Sequence, residues 1–182
     1  GAMTLDPVIA WSLRLALALL FGTAAWHKLS DRRRFEATLE AYSLLPPRSG
    51  RAFSWLLPAS ELAIAAALLL PTASRGAAAA AGTLLLLYSG AIAINLGRGR
   101  HRIDCGCFAS GAATPLSGAL LLRNAALITA TLVLLLPEGQ RPLVWIDGLS
   151  LLASLIGWTL VWEAGQRLAR TGPALREIGG VR

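Results

Sequence analysis

The chain has 182 residues, 55% of them hydrophobic, with a mean hydropathy of +0.58. This composition leaves too little polar surface to cover a soluble globule, and so argues against an ordinary soluble domain. The formal charge of +7 comes from arginines placed between apolar runs, not along one basic face, which argues against nucleic-acid binding.

Five apolar runs are long enough to cross a bilayer, because at about 1.5 Å per residue a helix needs about twenty residues to span about 30 Å of hydrocarbon. The second run is the shortest and contains Pro58 and Glu61, whereas Asp147 weakens the fifth, for which an interfacial helix is the alternative. We therefore predict an all-α integral membrane protein, an antiparallel bundle of four core transmembrane helices plus a fifth C-terminal helix. The predicted spans are residues 7–26, 54–70, 77–96, 116–136 and 143–162.

Residues 3–182 are expected to form a single polytopic membrane domain, since Gly1 and Ala2 resemble the remnant of an expression tag. Between the first two spans, the pattern predicts an amphipathic helix at about residues 31–45, with charges opposite its apolar positions. Such a helix is typical of the membrane interface, and a partner-binding helix is the alternative. Its apolar positions are Phe35, Leu39, Tyr42 and Leu45.

Basic residues alternate in number from loop to loop, as expected when cytoplasmic loops collect lysine and arginine. Six follow the first span, one the second, three the third, one the fourth, and four lie in the tail. The alternation predicts a multi-pass protein of the bacterial inner membrane with its N-terminus outside and its C-terminus in the cytoplasm. The loop after the third span then lies on the cytoplasmic side.

That loop contains the only two cysteines of the chain, Cys105 and Cys107, separated by one glycine. Two adjacent thiols can form a disulfide or bind a soft metal ion. A ring closed over one residue is expected to be strained and therefore easily reduced, which suits an exchanging pair. The positive charges of Arg98 and Arg100 favour the thiolate form.

Several polar residues fall within or at the ends of the spans, where burial in hydrocarbon is costly. Glu61 and Arg123 lie at similar depths from the same face, so they are predicted partners. His27 and Lys28 close the first span at that face, beside the cysteine loop. Near the opposite face, Arg14 and Asp147 are the expected partners in a structural pair.

At these residues the chain resembles the MauE proteins of methylamine utilisation, within the wider MauE and DoxX group of redox-associated membrane proteins. The resemblance runs from about Leu15 to Leu136. One departure is Ala109, where the family usually has glycine. The resemblance is carried by Trp26-His27-Lys28, Phe35, Tyr42-Ser43-Leu44-Leu45-Pro46, Pro58 with Glu61, Asn95 to Arg100, Cys105-Gly106-Cys107-Phe108, and Arg123-Asn124.

This resemblance implies a membrane thiol redox system that supports the maturation of exported proteins, typically the disulfide-rich small subunit of methylamine dehydrogenase. The expected partners are the lipid bilayer, a thioredoxin-like protein on one membrane face and an exported client. In this hypothesis Cys105 and Cys107 exchange between dithiol and disulfide, and Glu61 handles protons. Arg123 holds Glu61 ionised or positions a membrane quinone, by analogy with other membrane thiol oxidoreductases. The supporting residues near the thiols are His27, Lys28, Arg98 and Arg100.

Two alternatives use the same residues differently. A soft-metal binding or transport protein would hold copper or mercury with Cys105 and Cys107, with His101 or Asp104 as an auxiliary ligand. A noncatalytic assembly factor for an exported enzyme would use the amphipathic helix at about residues 31–45 and would not need the thiols.

Overall fold

The computed structural model describes residues 4–46, 49–100, 116–139 and 141–179, and over these residues it contains six α-helices and one isolated β-bridge. The all-α class predicted from the sequence is confirmed. The helices are α1 (Pro7–Ser30), α2 (Arg32–Tyr42), α3 (Gly50–Leu68), α4 (Ser74–Gly97), α5 (Gly118–Val133) and α6 (Trp145–Gly179).

Local sequence signals explain where the first two helices begin and end. Asp6 caps α1, because its carboxylate accepts a hydrogen bond of 2.8 Å from the backbone N–H of Val8, and Pro7 occupies the first turn, where a missing N–H does no harm. Asp31 caps α2 in the same way through Arg34, at 3.2 Å. The helix ends at Tyr42, and the next residue, Ser43, has a φ of 50°, in the left-handed region.

A helix lies at each of the five predicted spans, and two of them are long and apolar enough to cross a membrane. These are α1 and α4, in each of which the most apolar stretch of 18 residues has a mean hydropathy of 1.8, whereas Gly118–Val133 and Trp145–Val161 are shorter apolar helices. The last helix continues past the predicted end at residue 162, to Gly179.

The helices pack as a chain of neighbours: α1 on α3, α3 on α4 and α4 on α5, with α2 against α3 and α6 against α1. The start of α1 meets the turn after α5, since the N–H of Leu5 bonds to the carbonyl of Pro137 at 2.8 Å. We call this the Asp6 end. The opposite end, which we call the α2 end, contains α2, the start of α3 and the end of α4, where Arg100 Nη1 lies 3.5 Å from the carbonyl oxygen of Ala41.

Paired charges join the elements at the Asp6 end. Arg14, only 3% exposed, forms an ion pair with Glu138 and donates a hydrogen bond of 2.8 Å to Ser74 at the start of α4. The predicted pairing of Arg14 with Asp147 is wrong. The physical reason is that the backbone pairing of Leu5 with the turn after α5 brings Glu138 to Arg14.

Asp147 pairs instead with Arg141, six residues earlier, whose guanidinium donates two hydrogen bonds of 2.9 and 3.0 Å to the carboxylate. The same guanidinium reaches Asp6 at 3.1 Å and so links the start of α1 to the segment that leads into α6. The hydrogen bond from Arg141, assisted by the backbone N–H of Val8, lowers the pKa of Asp6. The hydrogen bonds to Asp147 and Asp6 raise the pKa of Arg141 in return.

The amphipathic helix predicted at about residues 31–45 is present as α2, and it packs against α3 and α1 with Phe35 buried. The guanidinium of Arg32 lies 4.9 Å from the ring centre of Trp55 on α3, which adds a cation–π contact. Trp55 and Trp26 are both largely exposed at this end. That this end lies at a membrane interface remains a prediction.

Candidate functional site

A buried ion pair between Lys28 and Glu61 lies inside the bundle. Lys28 is in the last turns of α1 and is 4% exposed, and Glu61 is near the middle of α3 and is 1% exposed. The Lys28 ammonium contacts Glu61 Oε1 directly. Ionisable groups this deeply buried are costly unless they are paired, so the contact keeps α1 and α3 in a defined register.

Tyr88 of α4 completes a cluster of three residues. Its hydroxyl donates a hydrogen bond of 2.7 Å to Glu61 Oε1 and lies 3.3 Å from Lys28 Nζ. The ammonium also lies 4.8 Å from the centre of the Tyr88 ring and 5.3 Å from that of Phe35 on α2. The cluster therefore joins α1, α3 and α4, and its lysine also contacts α2 through Phe35.

The two oxygens of the Glu61 carboxylate are satisfied unequally. Oε1 accepts bonds from both Lys28 and Tyr88, whereas Oε2 is buried and has no hydrogen-bond partner among the described residues. An unsatisfied buried acceptor costs free energy comparable to a lost hydrogen bond. Such an atom indicates a place where a water molecule or a ligand donates.

Glu61 lines a small cavity between α1, α3, α4 and α5. The cavity has a volume of about 20 Å³, which is room for about one water molecule. Its polar lining is Lys28, Glu61, Tyr88, Arg123 and Asn124, and its apolar lining is Leu20, Phe21, Ala24, Leu85 and Leu127.

Arg123 and Asn124 lie in the first half of α5 and line this cavity. Asn124 is 2% exposed and donates to the Ser89 hydroxyl of α4 at 3.2 Å, and the Arg123 guanidinium approaches Asn124 Oδ1 at 3.4 Å. The sequence predicted Arg123 as the ion-pair partner of Glu61. The structure gives that role to Lys28 and places Arg123 on the wall of the same cavity.

The other predicted site residues are distributed as follows. His27 is half-buried in the last turn of α1 and does not line the cavity, because one residue along a helix turns the side chain by about 100° away from Lys28. Arg98 and Arg100 are exposed at the end of α4. Cys105, Cys107 and His101 lie outside the described residues.

A metal site among the remaining residues finds no support. Over residues 4–46, 49–100, 116–139 and 141–179, no three His, Cys, Asp or Glu side chains come together in a way that could hold a metal ion.

Sequence reasoning missed Tyr88. The available signal was its position: a phenol directly after the run Leu84 to Leu87, in the middle of an apolar helix. A buried tyrosine hydroxyl normally needs a hydrogen-bond partner, so its presence there points to a polar group on a neighbouring helix. The sequence offered no means of telling that this group is Glu61.

Changing Tyr88 to phenylalanine is expected to lower the free energy of unfolding by about 1.5–3 kcal/mol, the range for a hydrogen bond to a charged group. The ring and its contact with Lys28 remain, so the change isolates the hydroxyl. Denaturant titration in mild detergent measures it. The matched control is Thr83→Val, whose exposed hydroxyl bonds only to its own helix at Ala79. Equal losses in the two variants would mean that the Tyr88 hydroxyl does not stabilise Glu61.

Comparison with known proteins identifies similar chains. The family model described as "Methylamine utilisation protein MauE" matches residues 6–137, which include α1 to α5 and the whole cluster. The chain is 40% identical over 130 residues to the methylamine utilization protein MauE of Paracoccus denitrificans, covering 71% of this chain and 70% of that protein.

Two further relatives carry the same name. The protein of Paracoccus versutus is 44% identical over 127 residues, covering 70% of this chain and 68% of its own length. That of Methylorubrum extorquens is 42% identical over 129 residues, covering 71% and 69%. No solved structure matches the chain at a significant level.

Proposed function

Because the chain belongs to the MauE family of methylamine utilisation proteins, we propose that it is a membrane thiol–disulfide redox protein that uses Cys105 and Cys107 to support the maturation of exported proteins. The observation that carries the proposal is the Cys-Gly-Cys sequence in the segment between α4 and α5. In this proposal the client is an exported enzyme of methylamine utilisation. The names of the relatives support that choice.

The surface of the bundle supports a membrane location. Large apolar side chains point outward on several helices, including Leu87 (65% exposed), Leu122 (75%) and Leu160 (65%). A water-soluble protein rarely exposes so many, whereas a lipid environment requires them. Together with the two long apolar helices, this favours a multi-pass protein of the bacterial inner membrane.

The ends of the cysteine segment support a reactive pair. The segment begins after α4 and ends before α5, and so joins two helices at the α2 end of the bundle. Arg98 and Arg100 are exposed beside its start. Nearby positive charge stabilises a thiolate over a thiol, and the thiolate is the nucleophile of disulfide exchange.

In the proposed chemistry the oxidant is the disulfide of a thioredoxin-like partner, which takes two electrons from the Cys105 and Cys107 dithiol. The thiolate of one cysteine attacks a disulfide of a thioredoxin-like partner and forms a mixed disulfide, releasing one partner thiolate. The second cysteine then attacks the mixed disulfide, so that Cys105 and Cys107 become oxidised and the partner is reduced to a dithiol. The reverse sequence passes electrons the other way.

The buried cluster acts in this proposal as a positioning device, not as the reacting centre. Lys28, Glu61 and Tyr88 join α1, α3 and α4, and Asn124 joins α5 to α4. These contacts set the distance between the ends of α4 and α5, which carry the cysteine segment. Contacts that hold the residues around a reactive site commonly affect its geometry without touching the substrate.

Thiol labelling in membranes of known sidedness tests the proposal. An impermeant maleimide should modify Cys105 and Cys107 only after mild reduction, and from the cytoplasmic face. The matched control is Thr72→Cys in the Cys105→Ser/Cys107→Ser background, because Thr72 is exposed in the turn between α3 and α4 at the Asp6 end. That control should label without reduction and from the opposite face.

The other outcomes separate the alternatives. Complete labelling without reduction that is blocked by stoichiometric Cu(I) or Hg(II) would replace the redox proposal by the soft-metal one. Full maturation of the client by Cys105→Ser would reject both thiol functions and leave the noncatalytic assembly factor. Labelling of the cysteines only from the outside would reject the predicted orientation, and labelling of the cysteines and of Thr72→Cys from the same face would reject the predicted crossing between them.

A further inference from the structure

An exposed stripe of apolar side chains runs along α3 from Trp55 to Leu70, the second residue after the helix, while the opposite face of the helix packs in the core. At about 1.5 Å per residue the stripe is about 22 Å long, which exceeds half of the roughly 30 Å of hydrocarbon in a bilayer. A membrane protein presents such a face to the acyl chains of lipids. The large side chains of the stripe are Trp55, Leu56, Leu62, Leu69 and Leu70.

Positive charge lies at the α2 end of this stripe. Arg32, the first residue of α2, is half-buried, and its guanidinium lies 4.9 Å from the ring centre of Trp55. Arg51 is exposed and comes four residues before Trp55 in α3, so the two side chains lie on the same face of the helix, one turn apart. Arginines from two helices therefore lie next to the indole ring at which the apolar stripe ends.

The charges of these two arginines are not used inside the protein. In the described part of the chain, neither Arg32 nor Arg51 forms an ion pair with a carboxylate. The side chains of Glu36 and Glu40 on α2 lie beside Gly50 at the start of α3, yet neither pairs with these arginines. The packing of Arg32 on Trp55 holds its guanidinium in one place. Both arginines are therefore available to an anion from outside the chain.

A phospholipid matches this arrangement, because it joins a phosphate to acyl chains, whereas a soluble anion would leave the apolar stripe uncovered. Tryptophan rings prefer the level of the lipid head groups, and a guanidinium presents several N–H donors to a phosphate. Two cations beside one phosphate favour a head group that carries no ammonium of its own. The occupant that fits is an anionic phospholipid.

We propose that Arg32, Arg51 and Trp55 bind the head group of an anionic phospholipid, with an acyl chain of that lipid along the exposed face of α3. The predicted orientation places this end of the bundle in the cytoplasmic leaflet, where anionic lipids attract basic residues. The proposal rests on the membrane location in the proposed function and does not involve the thiols.

Native mass spectrometry of the purified full chain in mild detergent tests the site, with phosphatidylglycerol and phosphatidylcholine of identical acyl chains as the probes. The variants Arg32→Gln and Arg51→Gln each remove one charge from the site. The matched controls are Arg33→Gln on α2 and Arg98→Gln after α4, which remove the same charge from exposed positions outside it. Thermal unfolding of each variant establishes that it is folded.

The wild type is expected to bind one phosphatidylglycerol in preference to phosphatidylcholine. This preference should fall about fivefold in each site variant and about thirtyfold in the double variant, and stay unchanged in the two controls. Trp55→Leu should weaken it as well, whereas Trp26→Leu, at an exposed tryptophan of α1, should not. An equal fall in site variants and controls would mean attraction by net charge alone and would overturn the proposal.

Other outcomes would identify a different occupant or none. Equal binding of the two lipids by the wild type would mean that the head group is not recognised. Displacement of the lipid by inorganic phosphate alone would mean a site for a soluble anion. A dimer that is lost in the site variants would make a second copy of the chain the occupant. Each of these results would overturn the proposal.

A separate measurement distinguishes this proposal from the proposed function. Flotation with vesicles of phosphatidylcholine reports membrane association without a contribution from anionic lipid. A chain that does not float would reject the membrane location and the lipid site with it, whereas a chain that floats but shows no lipid preference would reject the site alone. Lipid binding should be unchanged in Cys105→Ser/Cys107→Ser, whatever the labelling of the thiols shows.

Discussion

Replacing Lys28 with methionine is expected to lower the free energy of unfolding by about 3–5 kcal/mol, the cost of leaving one partner of a buried ion pair without the other. Lys28 and Glu61 are 4% and 1% exposed, so bulk water does not solvate the charge that remains. Glu61 would keep only the Tyr88 hydroxyl on Oε1. Denaturant titration in mild detergent measures the loss.

The double variant Lys28→Met/Glu61→Leu should recover most of that stability, because it removes both desolvation penalties along with the attraction. The control is Arg98→Met, an exposed cation at the end of α4, for which a change within about 0.5 kcal/mol is expected. If the double variant loses the sum of the two single losses, Lys28 and Glu61 do not stabilise each other.

The second large effect is expected at Gly82 of α4, which lies directly against Thr131 of α5. A Cβ at Gly82 would lie 2.8 Å from Thr131 Oγ1, a contact that real side chains do not make. Thr131 is 2% exposed and its hydroxyl bonds to the Ile128 carbonyl at 2.7 Å, so it cannot easily turn aside. Small residues at such contacts allow helices to approach closely in a membrane.

Gly82→Ala is therefore expected to cost about 1–3 kcal/mol through overpacking, although alanine is the better helix former. The control is Gly90→Ala on the same helix, where a Cβ meets nothing within 4 Å. That control should gain up to about 1 kcal/mol from helix propensity. Thr131→Ala should rescue Gly82→Ala, and a failure to rescue would place the strain elsewhere.

The match to the family ends at residue 137, between α5 and α6. Residues 6–137 match the family and contain α1 to α5, whereas α6 lies beyond them and packs against α1. Arg141 with Asp147, and a hydrogen bond of 3.0 Å between Ser154 and Ser12, attach α6 to the rest. The buried cluster and the cysteine segment both fall within the family region.

Much of the fold follows from the sequence because the signals that specify it are local. Asp6 and Pro7 begin α1 through a cap and a fixed backbone angle, and the length of each apolar run predicts a helix without any knowledge of its neighbours. Glu61 was identifiable for the same reason, since a carboxylate inside an apolar run has to find a partner. The cysteine pair is visible in the sequence, and its chemistry remains a prediction.

Only the tertiary structure decided which partner each buried charge has. The rise along a helix predicts how deep a residue lies in the membrane, and by depth alone Arg123 matches Glu61. Which side chains face each other depends on the rotation of each helix about its axis, which depth does not give. In the sequence the apolar run ends at Trp26, which predicts that Lys28 lies at the membrane interface. In the structure α1 continues to Ser30, and Lys28 is buried. Arg14 likewise meets Glu138 because the backbone of Leu5 pairs with the turn after α5, a contact between distant parts of the chain that no local pattern records.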